Sequence, residues 1–350
     1  MRKETLTSQE RVRLALNHQA VDRIPIALIC SGINPPAYQA LDDTLRRERG
    51  LSAAAYLDGF LDVAEVAPAY RGPALRDGRD IFGVRWQGDY EHVLDYPLAG
   101  VTRLSELEAY PWPSPDCYDF AAIPARIAAL QDVRPRAILV SLGHIFEYTW
   151  FMRGLEQAYM DFLLHPELIH AVLERVTNFY VGYFTNLLAA GQGQIDLVLT
   201  ADDIAGQEHL LMSLPTWEEF IKPYHVRLNQ VVHNFGVRVI YHSDGALMKA
   251  VPGLIDMGVD ILQALQFDAR GMDPLKLKTQ YGGQLCFQGG VSVQKTLPFG
   301  TPREVQAEVE TLTAVLGQGG GYILGPSNVI QAGTPPENIL AMFDTALRCK

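Results

Sequence analysis

His242 and Asp244 stand two residues apart at the end of the run Val237-Arg238-Val239-Ile240-Tyr241-His242-Ser243-Asp244-Gly245. β-Branched residues between Gly236 and Gly245 predict a buried strand, and its period of two sends His242 and Asp244 to the same side as they leave it. An imidazole and a carboxylate so placed can pass a proton or hold a metal ion. A plainer reading uses the same residues: Asp244 caps a helix beginning at Ala246, and His242 is a satisfied core residue.

Other apolar runs also end on polar groups. Asp202-Asp203 follow Ile195-Asp196-Leu197-Val198-Leu199-Thr200, and paired carboxylates at a strand end suit proton transfer or a hard cation, although one of them can equally cap a downstream turn. Cys30 with Ser31, Glu65, His144 with Glu147, Gln266, and Ser327 with Asn328 complete the set. His165, His170, His209, His225 and His233 have no partner at metal-ligand spacing and read as structural or solvated. Gly289-Gly290 and Gly319-Gly320-Gly321 are not in the order G-x-G-x-x-G, so they read as tight turns. No G-x-S-x-G or P-loop occurs, which removes the common hydrolase and nucleotide-triphosphatase readings.

Positioning these groups requires strands at regular intervals. Apolar runs near 24–30, 61–67, 136–142, 195–201, 237–242, 259–265, 284–290 and 321–325 predict eight strands. Amphipathic stretches over 152–190, 216–235, 247–257 and 302–317 predict helices between them. Eight strands alternating with helices point to an α/β fold of the (β/α)8 TIM barrel type, with a doubly wound sheet as the alternative. In a barrel, polar residues at the strand ends line one mouth. One excursion, 81–116, contains two ribbon strands within 81–96 and the proline-rich Tyr110-Pro111-Trp112-Pro113-Ser114-Pro115-Asp116, and reads as a rim or a surface insertion. No internal repeat or linker divides residues 1–350, so a single barrel domain is expected.

Composition narrows the partners. The 350 residues are 48% hydrophobic and carry 40 acidic against 29 basic side chains, a formal charge of −11 with no basic run. Nucleic acid and anionic membrane are therefore not expected partners, whereas a small molecule or another protein is. The start is charged, and no apolar segment approaches the roughly 20 residues that span a bilayer, so a cytoplasmic protein is expected. Cys30, Cys117, Cys286 and Cys349 form no C-x-x-C, and the two in predicted strands read as buried apolar thiols. A homodimer is compatible with the sequence.

Several segments together resemble the uroporphyrinogen decarboxylase superfamily, in their order as well as their wording. They are Glu10-Arg11-Val12 through Asp22-Arg23-Ile24-Pro25, Asp202-Asp203, Phe220-Ile221-Lys222-Pro223-Tyr224, Tyr241-His242-Ser243-Asp244-Gly245, Leu297-Pro298-Phe299-Gly300-Thr301-Pro302, and Pro335-Pro336-Glu337-Asn338-Ile339. The resemblance implies a uroporphyrinogen decarboxylase-like barrel and two chemistries. True uroporphyrinogen decarboxylases carry an arginine-rich R-x-x-G-R loop after the first strand for the substrate's carboxylates, but here that loop reads Cys30-Ser31-Gly32-Ile33-Asn34-Pro35-Pro36. A polycarboxylate bound without those cations would leave buried charges unpaired.

The other branch resembles methyltransferases that work with a corrinoid carried on a partner protein. Its zinc members have H-x-C where this chain has His242-Ser243-Asp244, and a later cysteine near Asn328; both sulfurs are absent at those positions. The resemblance therefore implies methyl transfer between a small donor, of aryl methyl ether or methylamine type, and a small corrinoid protein. His242 and Asp244, with Asn328, would protonate the product or hold zinc weakly, while Asp202, Asp203 and Gln266 orient the donor, and His144, Glu147 and Asn328 contact it. Decarboxylation of a smaller acid, with Asp202 or Asp203 as the proton donor, and non-catalytic binding of a corrinoid or tetrapyrrole are the alternatives.

Overall fold

The structure is a computed structural model that describes residues 4–30, 32–87 and 92–349; Ser31, one of the strand-end candidates, lies outside the described residues. Seven parallel strands form one sheet in the order β1 (Val63–Glu65), β6 (Ala137–His144), β7 (Leu197–Ala201), β8 (Arg238–His242), β9 (Ile261–Ala264), β10 (Cys286–Val291) and β11 (Tyr322–Pro326). The eighth stave is the segment around Ile26. Ile26 bridges Leu324 in parallel, the Ala27 N–H donates to Leu324 O at 3.0 Å, and the Asp62 N–H donates to Ile26 O at 2.9 Å. Pro25 has no N–H to donate, which limits this stave to a bridge rather than a full ladder. All eight expected segments thus take part in a (β/α)8 barrel, not an open doubly wound sheet.

Alternate residues on each strand divide between two cores. Ala27, Ile29, Val63, Ala137, Leu139, Leu197, Leu199, Ile240, Ile261, Cys286 and Ile323 fill the barrel, and Val12 and Leu16 of the helix Ser8–Leu16 join them. Their neighbours Ile138, Val140, Val198, Val239, Tyr241, Leu262 and Leu324 belong to the core shared with the surrounding helices. That period of two continues past the apolar layers, so residues at the carboxyl ends are inward or outward by parity.

The opening motif of the sequence is structural. Buried Arg11 binds Asp22 at 2.6 Å and Asp62 at 2.7 Å, and Arg23 binds Asp62 at 2.6 Å. Asp62 also accepts from Ser8 Oγ at 2.6 Å and from the Ile26 N–H at 2.8 Å, so one buried carboxylate ties the first helix to the first stave.

The helices depart from the expected spans. The stretch 152–190 is broken by Gly154, at φ 88°, and again before Pro166, giving the helices Ile145–Arg153, Leu155–Leu164 and Pro166–Gly191. The stretch 216–235 divides into Leu214–Phe220 and Lys222–Asn234, and 302–317 appears as Pro302–Leu316. The helix expected at 247–257 begins only at Val251, so Asp244 is not its cap. Outside the barrel, β2 (Ala69–Tyr70) pairs with β5 (Tyr118–Asp119), and β3 (Arg85–Gln87) pairs antiparallel with β4 (His92–Asp95) as the expected ribbon. Among the described residues, no helix is long and apolar enough to cross a membrane.

Candidate active site at the carboxyl end of the barrel

His242 ends β8 in the inward register of Ile240 and is nearly buried. Its Nδ1 is hydrogen-bonded to Gln263 Oε1 on the neighbouring strand. An amide oxygen only accepts, so Nδ1 carries the proton, and in the neutral ring Nε2 is left with its lone pair toward the mouth. Asp203 Oδ1 lies 3.8 Å from Nε2 and Cys30 Sγ 4.0 Å. Burial disfavours the charged imidazole, but the Cys30 sulfur, Asp244 and Asp203 outweigh it and push the pKa of His242 well above the usual value.

Asp244 completes the cluster. Its N–H donates to Asp203 Oδ1 at 2.8 Å, and its Oδ2 accepts from Asn328 Nδ2 at 2.5 Å. One ligand atom from each of Asp203, His242 and Asp244 lies within 4.8 Å of the others. Such a set with a sulfur beside it fits a borderline ion of the zinc type better than a hard cation, which takes oxygen alone.

The two adjacent aspartates have different tasks. Asp203 faces the mouth, whereas Asp202 is fully buried in the wall. The Asp202 carboxylate accepts from the Phe146 N–H at 2.8 Å and the Glu147 N–H at 2.9 Å, and it meets His225 Nε2 at 2.5 Å. It thus closes the amino terminus of the helix Ile145–Arg153, where free N–H groups and the helix dipole favour an anion. Gln266 is similarly occupied, accepting from the Gly245 N–H at 2.9 Å and donating to Gln207 at 2.8 Å. The geometry gives Asp202 and Gln266 supporting contacts, while Asp203, His242, Asp244 and Asn328 come together.

Two further expected residues lie at the same end. His144 Nδ1 is 2.6 Å from Glu147 Oε2. Burial opposes a charged His144, but the contact with Glu147 outweighs it and the pKa is raised. Burial also raises the Glu147 carboxyl, against the pull of His144 and with the charges of Asp202 and Asp203 adding to it. Glu65 is exposed at the end of β1, and Ser327 is buried, its hydroxyl 3.4 Å from the Val293 N–H.

Cys30 is among the strand-end candidates of the sequence, whereas Gln263 and Gln288 are not. Of the two readings open to Cys30, strand-end candidate and buried apolar thiol, the structure favours the first, since it supplies a sulfur beside His242 from a different stave than the H-x-C pattern uses. Ala27 and Ile29 face inward, so regular alternation would turn Cys30 away, and its left-handed backbone, at φ 61°, breaks that alternation. Gln263 and Gln288 are buried glutamines in otherwise apolar strands, and that mismatch was the available signal. Among the described residues, Gln288 has no partner at either amide atom and Gln263 has none at Nε2, so these strands present polar groups that suit a polar ligand or water.

Residues 135–348 match the family Uroporphyrinogen decarboxylase (URO-D). Among curated proteins, a uroporphyrinogen decarboxylase of Psychromonas ingrahamii is 23% identical over 179 residues, 49% of this chain and 46% of that protein. One from Anaeromyxobacter dehalogenans is 29% identical over 185 residues, 51% of this chain and 47% of that protein. The chain thus spans about half the length of the curated relatives it matches. Among solved structures, a methyltransferase from Methanosarcina mazei superposes with a TM-score of 0.72 at 18% identity, covering 98% of this chain and 99% of that one. The likeness extends the barrel assignment over nearly the whole chain.

Proposed function

The chain belongs to the uroporphyrinogen decarboxylase family, and from that premise we propose that it is a methyltransferase acting between a small methylated donor and a corrinoid on a small partner protein. The observation that carries this reading is the chemistry of the mouth. Asp203, Asp244 and Glu147 supply carboxylates, His144 and His242 supply imidazoles, and Cys30 supplies a thiol. Such a site suits a neutral or cationic donor and would repel a polycarboxylate, whose charges would meet like charges in a partly buried setting. The fold shared with the methanogen methyltransferase supports the same reading.

The donor is an aryl methyl ether or a methylamine, and the corrinoid on its carrier is the second substrate. His242, Asp203 and Asp244, with Cys30 beside them, would hold a zinc-type ion, which would supply Lewis acidity for the heteroatom that gives up its methyl group. The chain's own residues bind and orient the donor. Gln263 fixes the His242 tautomer, and Asn328 fixes the Asp244 carboxylate. We place the reaction in the cytoplasm, where a reduced corrinoid can be maintained.

The test is to mix the protein with cob(I)alamin and a panel of aryl methyl ethers and methylamines, and to follow methylcobalamin by its absorbance. Methylation that depends on both protein and donor supports the proposal. Release of coproporphyrinogen from uroporphyrinogen at the rate of a true decarboxylase would overturn it.

A further inference from the structure

Strand β6 carries one residue more than its neighbour needs. Ser141 pairs with Leu199 and His144 with Ala201, so three steps on β6 match two on β7. Leu199 faces the barrel interior, Ala201 shares its face by parity, and the bulge brings His144 to that side as well. Gly143 absorbs the extra residue at φ 101°, and a side chain there would meet Leu228 Cδ2 and Thr200 Cγ2, each at 3.2 Å. Without the bulge, Gly143 would take the inward place and His144 would point away.

Ala201 in turn pairs with His242 on β8. His144, Ala201 and His242 therefore stand level on three neighbouring strands. At about 4.8 Å between strands, the two histidines are rooted roughly 10 Å apart. The residue between them, Ala201, is small and buried. The partly exposed His144 imidazole and the His242 cluster with Asp203 are therefore turned toward the same mouth.

We propose that His144, oriented by Glu147, is the acid that protonates the atom from which the methyl group departs at this mouth. The assignment rests on the methyltransferase reading. Nδ1 of His144 is engaged with Glu147, so Nε2 is the position that delivers the proton. Glu147 from the helix and Asp202 from the end of β7 favour the imidazolium, burial and His242 oppose it, and the balance keeps His144 more basic than usual. In the step itself the methyl–oxygen bond breaks and leaves its electron pair on oxygen. The electron pair for the new carbon bond comes from the cobalt(I) corrinoid, and the proton passes from His144 to the oxygen, giving a neutral phenol and a neutral imidazole. Glu147 is a positioning residue.

The experiment compares wild type, His144→Gln and Glu147→Gln with cob(I)alamin and two donors, methyl phenyl ether and methyl 4-nitrophenyl ether. Protonation matters for the basic phenolate and little for the nitrophenolate. Both variants should lose about 100-fold in single-turnover rate with the phenyl ether and much less with the nitrophenyl ether. Equal losses with both donors, or none, would overturn the assignment. Binding of 4-nitrophenol, followed by its absorbance, needs no methyl transfer, and both variants should bind it about tenfold more weakly through loss of a charge-assisted hydrogen bond. Unchanged binding overturns the assignment whatever the turnover. Binding that depends on His144 in a wild type that transfers no methyl group supports the proton-donating contact and refutes the methyltransferase reading instead.

Discussion

Asn328 reaches across the mouth of the barrel to donate to Asp244 at 2.5 Å, joining the segments that leave β11 and β8 although β9 and β10 lie between them. The Asn328 oxygen is 3.9 Å from Cys30 Sγ, so one amide links the end of the first stave to the histidine cluster. A carboxylate held from across the mouth cannot rotate freely, which fixes the ligand geometry before anything binds.

Metal affinity should report the sulfur. Cys30→Ser replaces a soft donor by a hydroxyl at almost the same size, and we expect the affinity for zinc, measured by competition with a chromophoric chelator, to fall about tenfold or more. Affinity equal to that of wild type would remove Cys30 from the site.

Asp202 should behave as a structural residue. Asp202→Asn keeps the shape but loses the charge that the helix Ile145–Arg153 and His225 share, and replaces one acceptor by a donor facing a backbone N–H. Stability measured by urea unfolding should drop by about 3 kcal/mol. A variant of native stability that has lost only turnover would instead place Asp202 among the reacting groups.

Acid should weaken the amino end of the barrel. Burial would raise the Asp22 carboxyl, but Arg11 and the N–H groups of Thr5 and Leu6 outweigh it and hold the pKa well below the usual range. A carboxylate lowered in the folded state contributes stability above its unfolded pKa of about 4 and loses it as the pH falls through the folded value. Asp22→Asn should therefore be less stable at neutral pH and show a shallower decline between about pH 4 and 2. Parallel stability curves for the two proteins would contradict this.

The barrel was legible because its strands are apolar runs at regular intervals, and Ile195 through Ala201 or Val237 through His242 announce buried strands by type alone. His242 and Asp244 were legible for the same reason, since parity carries them inward together. Cys30 and His144 were legible as candidates, but the direction of their side chains was not, because it depends on backbone departures from parity. The positive φ of Cys30 and the extra residue before His144 each change which way a side chain points, and neither follows from residue types. The helix at Val251 started later than expected, so the capping role open to Asp244 disappeared only with the structure. The separate duties of Asp202 and Asp203 likewise needed the position of Phe146, which is 56 residues from Asp202 in sequence.

The central claim is that the cluster around His242 performs methyl transfer, and His242→Ala tests it most directly. His242 borders the mouth and makes its short contact with Gln263, so its removal should leave the barrel folded, with a melting temperature only modestly lowered by the unpaired Gln263 oxygen. Single-turnover transfer from the best donor to cob(I)alamin should at the same time fall to background. A variant that keeps its transfer rate, or one whose lost rate is matched by a lost fold, would contradict the account.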